Sequence, residues 1–158
     1  IVQMDGDGQH LPDELPKILA PVLDGRADIV IGSRYLSSEN TYKTSFARRL
    51  GQKIFGMILS LITGYKITDP TSGFQCLNRK AFELFSRGQF PHDFPDADVL
   101  LMAHYAGFRV REVPVVMVER SGGESMHAGF KPLYYVIKMV LSIGMVVLSQ
   151  RRWKQYVS

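Results

Sequence analysis

Two aspartates separated by one glycine stand near the start of the chain, in the segment IVQMDGDGQH. Asp5 and Asp7 follow a short apolar run, and adjacent carboxylates repel each other unless a cation neutralises them. One explanation for such a pair is an EF-hand calcium loop, which needs Gly at its sixth position and an acidic residue at its twelfth. Counted from Asp5, those positions hold His10 and Pro16. The sequence therefore excludes this calcium loop.

The second explanation is a metal-bound phosphate at the carboxyl end of a sheet strand. Open α/β sheets bind ligands at that end of their strands, and a hard divalent cation held by two carboxylates takes phosphate oxygens as further ligands. Gly6 and Gly8 leave room for a bulky diphosphate beside the two aspartates. A solvated turn with an acidic helix cap explains the same residues, and the pair alone does not separate these interpretations.

The elements that would position this pair follow the order strand, helix, strand. Ile1–Met4 predicts a strand, residues 12–23 predict an amphipathic helix that ends at Asp24-Gly25, and Asp28–Ile31 predicts a buried strand. Such a succession within about 30 residues forms a βαβ unit. It favours a parallel sheet flanked by helices.

The rest of the chain continues this alternation. Helical periodicity predicts four further helices, at residues 45–63, 79–85, 96–106 and 131–150. Strand patterns occur at residues 74–77 and 108–120, and Pro114 indicates that the second of these is an edge strand. The segments ITDPTSGF and SGGESMHAG contain the Pro and Gly residues that are typical of loops.

The composition is that of a globular domain with a mildly basic charge. The 158 residues are 46% hydrophobic and 22% charged, with a net charge of +4. This charge favours anionic partners such as phosphates, phospholipid surfaces or nucleic acid. The basic residues are dispersed and show no helix-turn-helix or aromatic RNA-binding pattern, so we expect no nucleic-acid partner. The single cysteine, Cys76, excludes an internal disulfide framework.

Five segments, in this order and spacing, resemble the family 2 glycosyltransferases, and most closely the branch of dolichyl- and polyprenyl-phosphate sugar synthases. The segments are MDGDGQHLPDELPKIL, ADIVIGSRY, ITDPTSGF, GFRVREVPV and ERSGGES. The resemblance extends from Ile1 to about Lys138. It implies a GT-A fold, a Rossmann-like α/β architecture with a mixed, mostly parallel sheet flanked by helices. It also implies that the N-terminal part of this fold is missing from the chain.

The resemblance implies a role for the aspartate pair. In such enzymes an Asp-x-Asp motif binds Mg²⁺ or Mn²⁺ on the diphosphate of a nucleotide-sugar. Asp5, Asp7 and Gln9 are therefore expected to be metal ligands, and the two aspartates are expected to be catalytic. The metal would neutralise the charge that builds on the departing nucleoside diphosphate.

The acceptor in this branch is a lipid monophosphate, which is already an anionic nucleophile and needs cations more than a strong general base. Arginine suits this role because its planar guanidinium binds phosphate oxygens in pairs. The arginines expected to bind phosphate are Arg34, Arg48 or Arg49, and Arg120. An ordinary exposed helix face explains Arg48 and Arg49 equally well.

Further candidates lie in the other matched segments. In SGGESMH the resemblance implies phosphate contacts for Ser125 and His127, although relatives often carry Lys near the second position. Asp69 would bind acceptor or sugar, or would only satisfy the backbone of its turn. Asp96 and Asp98 start a predicted helix where many relatives have Glu. Each would act as a base or hold a sugar hydroxyl, and helix capping is the alternative.

The last predicted helix is apolar and is followed by basic residues and a tryptophan. PLYYVIKMVLSIGMVVLSQRRWK holds about 18 mostly apolar residues, which is near the lower limit for crossing a bilayer. Arg151, Arg152, Trp153 and Lys154 follow at once and favour a helix that lies on the membrane surface. The alternative is a helix that packs on the protein core or on a partner chain.

The expected function is metal-dependent, inverting transfer of a sugar from a UDP- or GDP-linked donor to a polyprenyl or dolichyl phosphate, at the cytoplasmic face of a membrane. Residues 1–129 would be the C-terminal portion of a GT-A domain, and residues 130–158 an interfacial or packing helix with a basic tail. The sequence allows both a membrane-protein partner and a homo-oligomer. Two alternative interpretations of the function are a family 2 transferase that acts on a polysaccharide hydroxyl and an inactive truncated or scaffold relative. Because the upstream segment supplies much of the nucleoside pocket in this family, residues 1–158 alone are expected not to bind donor tightly.

Overall fold

A four-stranded sheet with helices on both faces forms the centre of the fold. The computed structural model describes residues 1–38, 46–86, 97–118 and 131–154. Within them the strands, in chain order, are β1 (Val2–Gln3), β2 (Ile29–Ser33), β3 (Gln75–Leu77) and β4 (Val110–Pro114). Their order across the sheet is β1-β3-β2-β4. The expected mixed α/β sheet flanked by helices is confirmed.

Three of the four strands run in one direction, and β3 runs against them. β2 and β4 pair in parallel, from Ile29 opposite Val110 to Ser33 opposite Pro114. β3 is antiparallel to both of its neighbours, β1 and β2. β1 and β2 therefore run parallel, as the predicted βαβ unit requires, and β3 lies between them in the sheet. The edge position of β4 confirms the prediction from Pro114.

The helices lie close to the predicted segments. A 3₁₀ turn at Pro12–Glu14 leads into α1 (Leu15–Leu23). The other helices are α2 (Phe46–Thr63), α3 (Arg79–Ser86), α4 (Ala97–Tyr105), α5 (Lys131–Leu148) and α6 (Gln150–Lys154). Gly64 and Gly107, which follow α2 and α4, have φ angles of 74° and 78°. This left-handed conformation ends a helix and favours glycine.

The two faces of β2 pack against different neighbours. Val30 packs with α1 and with Phe74 and Val115. Ile29 and Ile31 pack with residues of α3 and α4. Because successive side chains of a strand point to opposite faces, both faces of β2 are covered. This explains why the strand is an uninterrupted apolar run in the sequence.

The long helices form a further cluster of their own. Phe55 and Leu59 of α2, Met139 and Ile143 of α5, and Trp153 of α6 are buried in it together with residues of α4. The apolar helix near the end of the chain therefore packs one of its sides on the protein.

The other side of α5 is apolar and exposed. The large hydrophobic residues exposed on it are Val136, Ile137, Val140, Leu141, Met145 and Leu148. Among the helices in the described part of the chain, none combines the length and the hydrophobicity that crossing a bilayer requires.

Candidate active site

The aspartate pair lies on a turn that follows strand β1 closely. Asp5 is exposed and Asp7 is half-buried. Gly8 has a φ angle of 79°, a conformation that glycine adopts without strain. The backbone N–H of Gln9 then donates a hydrogen bond to Asp7 Oδ1 at 3.1 Å. Residues 5–9, called the aspartate loop below, thus present both carboxylates at the carboxyl end of a strand.

His10 supports the aspartate loop from a buried position. The backbone N–H of Asp5 donates to His10 Nδ1 at 3.1 Å, so Nε2 carries the proton of the neutral ring. The ring stacks on Phe74, with centroids 4.8 Å apart and an interplanar angle of 13°. Burial lowers the pKa of His10, while the charges of Asp5 and Asp7 act in the opposite direction. The neutral imidazole therefore accepts a hydrogen bond from the backbone of Asp5 and holds the start of the aspartate loop in place.

Arg34 forms a bidentate ion pair with Asp69. Arg34 Nε donates to Asp69 Oδ2 at 2.7 Å and Nη2 donates to Oδ1 at 2.7 Å. The backbone N–H of Arg34 also donates to Oδ2, at 3.0 Å. The Asp69 side chain is fully buried and the Arg34 side chain is 13% exposed, so the guanidinium compensates the buried charge of the carboxylate. Asp69 orients Arg34, and its predicted contact with acceptor or sugar stays a prediction.

Glu112 of β4 holds the segment that carries Asp69. Its carboxylate accepts hydrogen bonds from the backbone N–H groups of Thr68 and Asp69, each at 2.8 Å, and from Thr68 Oγ1 at 2.6 Å. Burial raises the pKa of Glu112, and these hydrogen bonds oppose the shift. The sequence carries no signal for this role of Glu112, because the alternation of the strand by itself explains a polar side chain at this position.

Residues 68–74, called the anchor loop below, are tied to β2 and α2 as well. Ser72 Oγ donates to the carbonyl oxygen of Gly32 at 2.6 Å. Gln52 of α2 donates from Nε2 to Thr71 Oγ1 at 3.0 Å, and its Oε1 accepts a hydrogen bond from the Tyr35 hydroxyl. The anchor loop is therefore held from three sides, by β4, by the end of β2 and by α2.

The anchor loop joins the two charged parts of the site. Asp69, near its start, binds Arg34. Gly73, near its end, lies against the aspartate loop, where a Cβ atom added to Gly73 would be 2.7 Å from Asp5 Oδ2. One short segment thus contacts both a carboxylate expected to bind metal and the residue that orients an arginine expected to bind phosphate.

The remaining predicted residues are not brought into this arrangement by the described contacts. Asp98 is buried on α4, where its Oδ2 accepts a hydrogen bond from the Ser142 hydroxyl of α5 and its Oδ1 from the Val99 N–H at 2.9 Å. Its catalytic role stays a prediction. Arg49 is exposed on α2. Outside the description lie the side chain of Arg48 and the residues Asp96, Arg120, Ser125 and His127.

The donor set of the aspartate loop fits a divalent cation that also binds substrate oxygens. Within the described ranges no three His, Cys, Asp or Glu side chains are grouped so that they would hold a metal ion by themselves. The Asp5 and Asp7 carboxylates and the Gln9 amide oxygen are hard oxygen ligands on one turn, the type that Mg²⁺ and Mn²⁺ prefer. Mg²⁺ is commonly held by one or two carboxylates together with substrate phosphates.

A family model for glycosyl transferase family 2 matches residues 1–85, which include the aspartate loop, Arg34 and the anchor loop. The chain belongs to glycosyl transferase family 2. Members of this family generally use divalent metal ions, in agreement with the donor set. The mixed sheet flanked by helices is consistent with the GT-A fold.

Several relatives of this family 2 chain carry names that refer to polyprenyl lipids. The chain is 25% identical over 151 residues to the UDP-N-acetylglucosamine–dolichyl-phosphate N-acetylglucosaminyltransferase of Methanococcus voltae. This alignment covers 92% of this chain and 59% of that protein. It is 33% identical over 132 residues to the polyprenol monophosphomannose synthase of Mycolicibacterium smegmatis, covering 82% and 49%. It is 30% identical over 132 residues to the undecaprenyl-phosphate mannosyltransferase of Micrococcus luteus, covering 82% and 53%. The resemblance to this branch is confirmed, and the chain spans about half the length of the curated relatives it matches.

Proposed function

We propose that the protein transfers a sugar from a nucleotide-sugar to a polyprenyl or dolichyl phosphate, with inversion at the anomeric carbon. The observation that carries this proposal is the anchor loop, which contacts Asp5 through Gly73 and orients Arg34 through Asp69. A metal-binding part and a cationic part on one support suit two reactants that both carry phosphate. The names of the relatives support the class of acceptor.

On the donor side, Asp5, Asp7 and Gln9 would hold a Mg²⁺ or Mn²⁺ ion. When bound, such an ion supplies positive charge for the nucleoside diphosphate that leaves. Two hydrogen bonds keep these ligands in place. The backbone N–H of Gln9 donates to the Asp7 carboxylate, and the backbone N–H of Asp5 donates to His10. The donor would be linked to UDP or GDP.

On the acceptor side, Arg34 would bind the lipid phosphate. Because Asp69 already fixes the direction of the guanidinium, less conformational entropy is lost when it binds phosphate oxygens. Arg120, Ser125 and His127 would add contacts to phosphate, and Arg48 or Arg49 would extend the cationic surface.

In the proposed reaction an oxygen of the acceptor phosphate attacks the anomeric carbon of the sugar. The new C–O bond forms as the bond from this carbon to the donor diphosphate breaks, and the electron pair of that bond leaves with the nucleoside diphosphate. No proton has to be removed, because the nucleophile is already an anion near neutral pH. One displacement inverts the configuration, and a base at Asp98 is not required.

We propose further that the protein lies peripherally at the cytoplasmic face of a membrane, and the exposed apolar side of α5 supports its contact with lipid. The apolar residues of this side would enter the headgroup region, and the exposed Lys138 and Arg151 would meet anionic lipids. In this position the site would reach a lipid phosphate while the polyprenyl chain remains in the bilayer.

The test is a panel of radiolabelled UDP- and GDP-sugars incubated with the full-length protein, Mg²⁺ or Mn²⁺, and undecaprenyl or dolichyl phosphate. We expect label from one donor to enter the organic phase. Asp7→Asn should lower this rate about 100-fold or more, because metal assistance is worth several kcal/mol. The control is Asp13→Asn, at an exposed position of the neighbouring 3₁₀ turn. This variant should transfer label at the wild-type rate. Label that enters only a polysaccharide, or no turnover of any donor, would contradict the proposal.

A further inference from the structure

The atoms that lie nearest to the open side of Gly73 belong to the carboxylate of Asp5 in the aspartate loop. An ideal Cβ atom on Gly73 would lie 2.7 Å from Asp5 Oδ2, 3.2 Å from its Cγ and 3.2 Å from its Oδ1. The three nearest atoms thus all belong to the group expected to bind the metal. Real Cβ atoms essentially never approach a neighbour more closely than 3.0 Å, so a side chain at position 73 requires either Asp5 or the anchor loop to move.

The backbone of Gly73 does not itself require glycine. Among the described glycines, those with a positive φ are Gly8, Gly25, Gly64 and Gly107, and Gly73 has a backbone conformation that other residues also adopt. The absence of a side chain at Gly73 is therefore explained by the space that the Asp5 carboxylate occupies and not by the turn.

The anchor loop is less free to move than Asp5. Ser72 is buried, donates to the Gly32 carbonyl oxygen at 2.6 Å and accepts from the Phe74 N–H at 3.3 Å. Phe74 is fully buried and stacks on His10. Asp5 is exposed, and its side chain is free to rotate into solvent. A methyl group on Gly73 would therefore displace the carboxylate and leave the loop in place.

We propose that Gly73 is a positioning residue for metal binding, because its missing side chain lets the Asp5 carboxylate rest against the anchor loop in the conformation that binds the cation. This inference rests on the proposed function, since it takes Asp5 and Asp7 as metal ligands. It adds a reason for the glycine in the segment TDPTSGF: the anchor loop that orients Arg34 through Asp69 also fixes the first metal ligand.

The direct test is a titration of Mn²⁺ alone into the full-length protein, followed by the electron paramagnetic resonance signal of free Mn²⁺, which needs no turnover. Gly73→Ala should weaken Mn²⁺ binding about 10- to 100-fold, the usual effect of changing a residue that orients a metal ligand. Gly51→Ala is the matched control, because a Cβ atom there meets no atom within 4 Å. It should leave Mn²⁺ binding unchanged.

A double-mutant cycle with Asp5→Ala separates positioning from a folding defect. Without the carboxylate, Gly73→Ala should cause no further loss of Mn²⁺ affinity. If Gly73→Ala lowers the thermal midpoint of the metal-free protein, adding Asp5→Ala should restore it, since the clashing atoms are gone. Unchanged Mn²⁺ binding by Gly73→Ala, or an equal loss in both backgrounds, would overturn the inference and leave the proposed function standing. A wild-type protein that binds Mn²⁺ neither alone nor together with UDP or GDP would overturn both.

Discussion

Arg34 and Asp69 form two parallel hydrogen bonds of 2.7 Å around a carboxylate that is fully buried. The pair connects the turn after β2 to the anchor loop, 35 positions away in the chain. A guanidinium held in this way keeps a defined direction, whereas an isolated surface arginine samples many rotamers. The ion pair therefore links the stability of the anchor loop to the orientation of the predicted phosphate ligand.

Removing one charge of this pair should destabilise the protein strongly. Asp69→Asn removes the buried carboxylate that binds the Arg34 guanidinium through two hydrogen bonds, and we expect the free energy of unfolding to fall by about 3 kcal/mol. The comparison is Asp24→Asn, which breaks the exposed ion pair with Arg26 and should change it by less than about 1 kcal/mol. Urea unfolding followed by circular dichroism measures both. Equal effects for the two variants would contradict a special role for the buried pair.

The buried Glu112 should make stability depend on pH in a defined direction. Its pKa in the folded protein is raised above the ordinary value of 4.5, mainly by burial. The folded state therefore binds this proton more tightly than the unfolded state. The contribution of Glu112 to stability is fully present below pH 4.5 and is lost as the pH rises through the raised pKa of the folded state.

Glu112→Gln isolates this contribution. The wild type minus variant difference in unfolding free energy should decrease as the pH rises from the ordinary Glu pKa and then become constant above the raised pKa. Urea midpoints across this range measure the difference. A difference that rises with pH, or that does not change, would show that Glu112 is not held with a raised pKa.

Binding of Mn²⁺ should raise the thermal midpoint of the wild-type protein, because a ligand that binds only the folded state stabilises it by mass action, by about 2.7 kcal/mol at a hundred times the dissociation constant. Asp7→Asn should remove most of this increase, whereas Asp13→Asn should keep it. Differential scanning fluorimetry with and without EDTA measures the shift. An equal shift in all three proteins would place the metal somewhere other than the aspartate loop.

The parts of the fold that the sequence predicts are those set by local patterns. The apolar run of β2 predicts a strand buried on both faces, and Pro114 predicts an edge strand, because each feature depends on neighbouring residues only. The insertion of β3 beside β1 is different. Val2 pairs with Cys76, and no local pattern in either short strand specifies that partner or its antiparallel direction.

The same distinction applies to the site. The sequence motifs predict a phosphate-binding role for Arg34 and leave Asp69 as either a substrate ligand or a residue that satisfies its turn. They do not predict that the two side chains form an ion pair. The contacts of Glu112 with Thr68 and of Gly73 with Asp5 join segments that are far apart in the chain. Such contacts arise from tertiary packing, so an isolated Glu or Gly in a strand or loop carries no sequence signal for them.

Asp98 offers a test of the kind of acceptor. Its carboxylate is buried and accepts a hydrogen bond from Ser142 in the interface of α4 and α5. With a phosphate acceptor, Asp98→Asn should leave kcat little changed, since no base is needed and an amide oxygen still accepts from Ser142. With a hydroxyl acceptor the loss of a base should lower kcat about 10²- to 10⁴-fold at an unchanged thermal midpoint. Steady-state kinetics together with thermal unfolding distinguishes these outcomes.

The exposed side of α5 should determine binding to lipid. Leu141 and Leu148 are 64% and 87% exposed, and each leucine buried in a membrane contributes about 1.5–3 kcal/mol. Leu141→Glu and Leu148→Glu should therefore each weaken co-sedimentation with phosphatidylcholine–phosphatidylglycerol vesicles by about tenfold or more. Leu23→Glu, at the 77% exposed end of α1, is the matched control and should bind as the wild type does. Because Met139 and Ile143 on the inner side stay unchanged, thermal midpoints should agree among all four proteins. Equal vesicle binding by all of them would argue that this side of α5 meets a protein instead of a membrane.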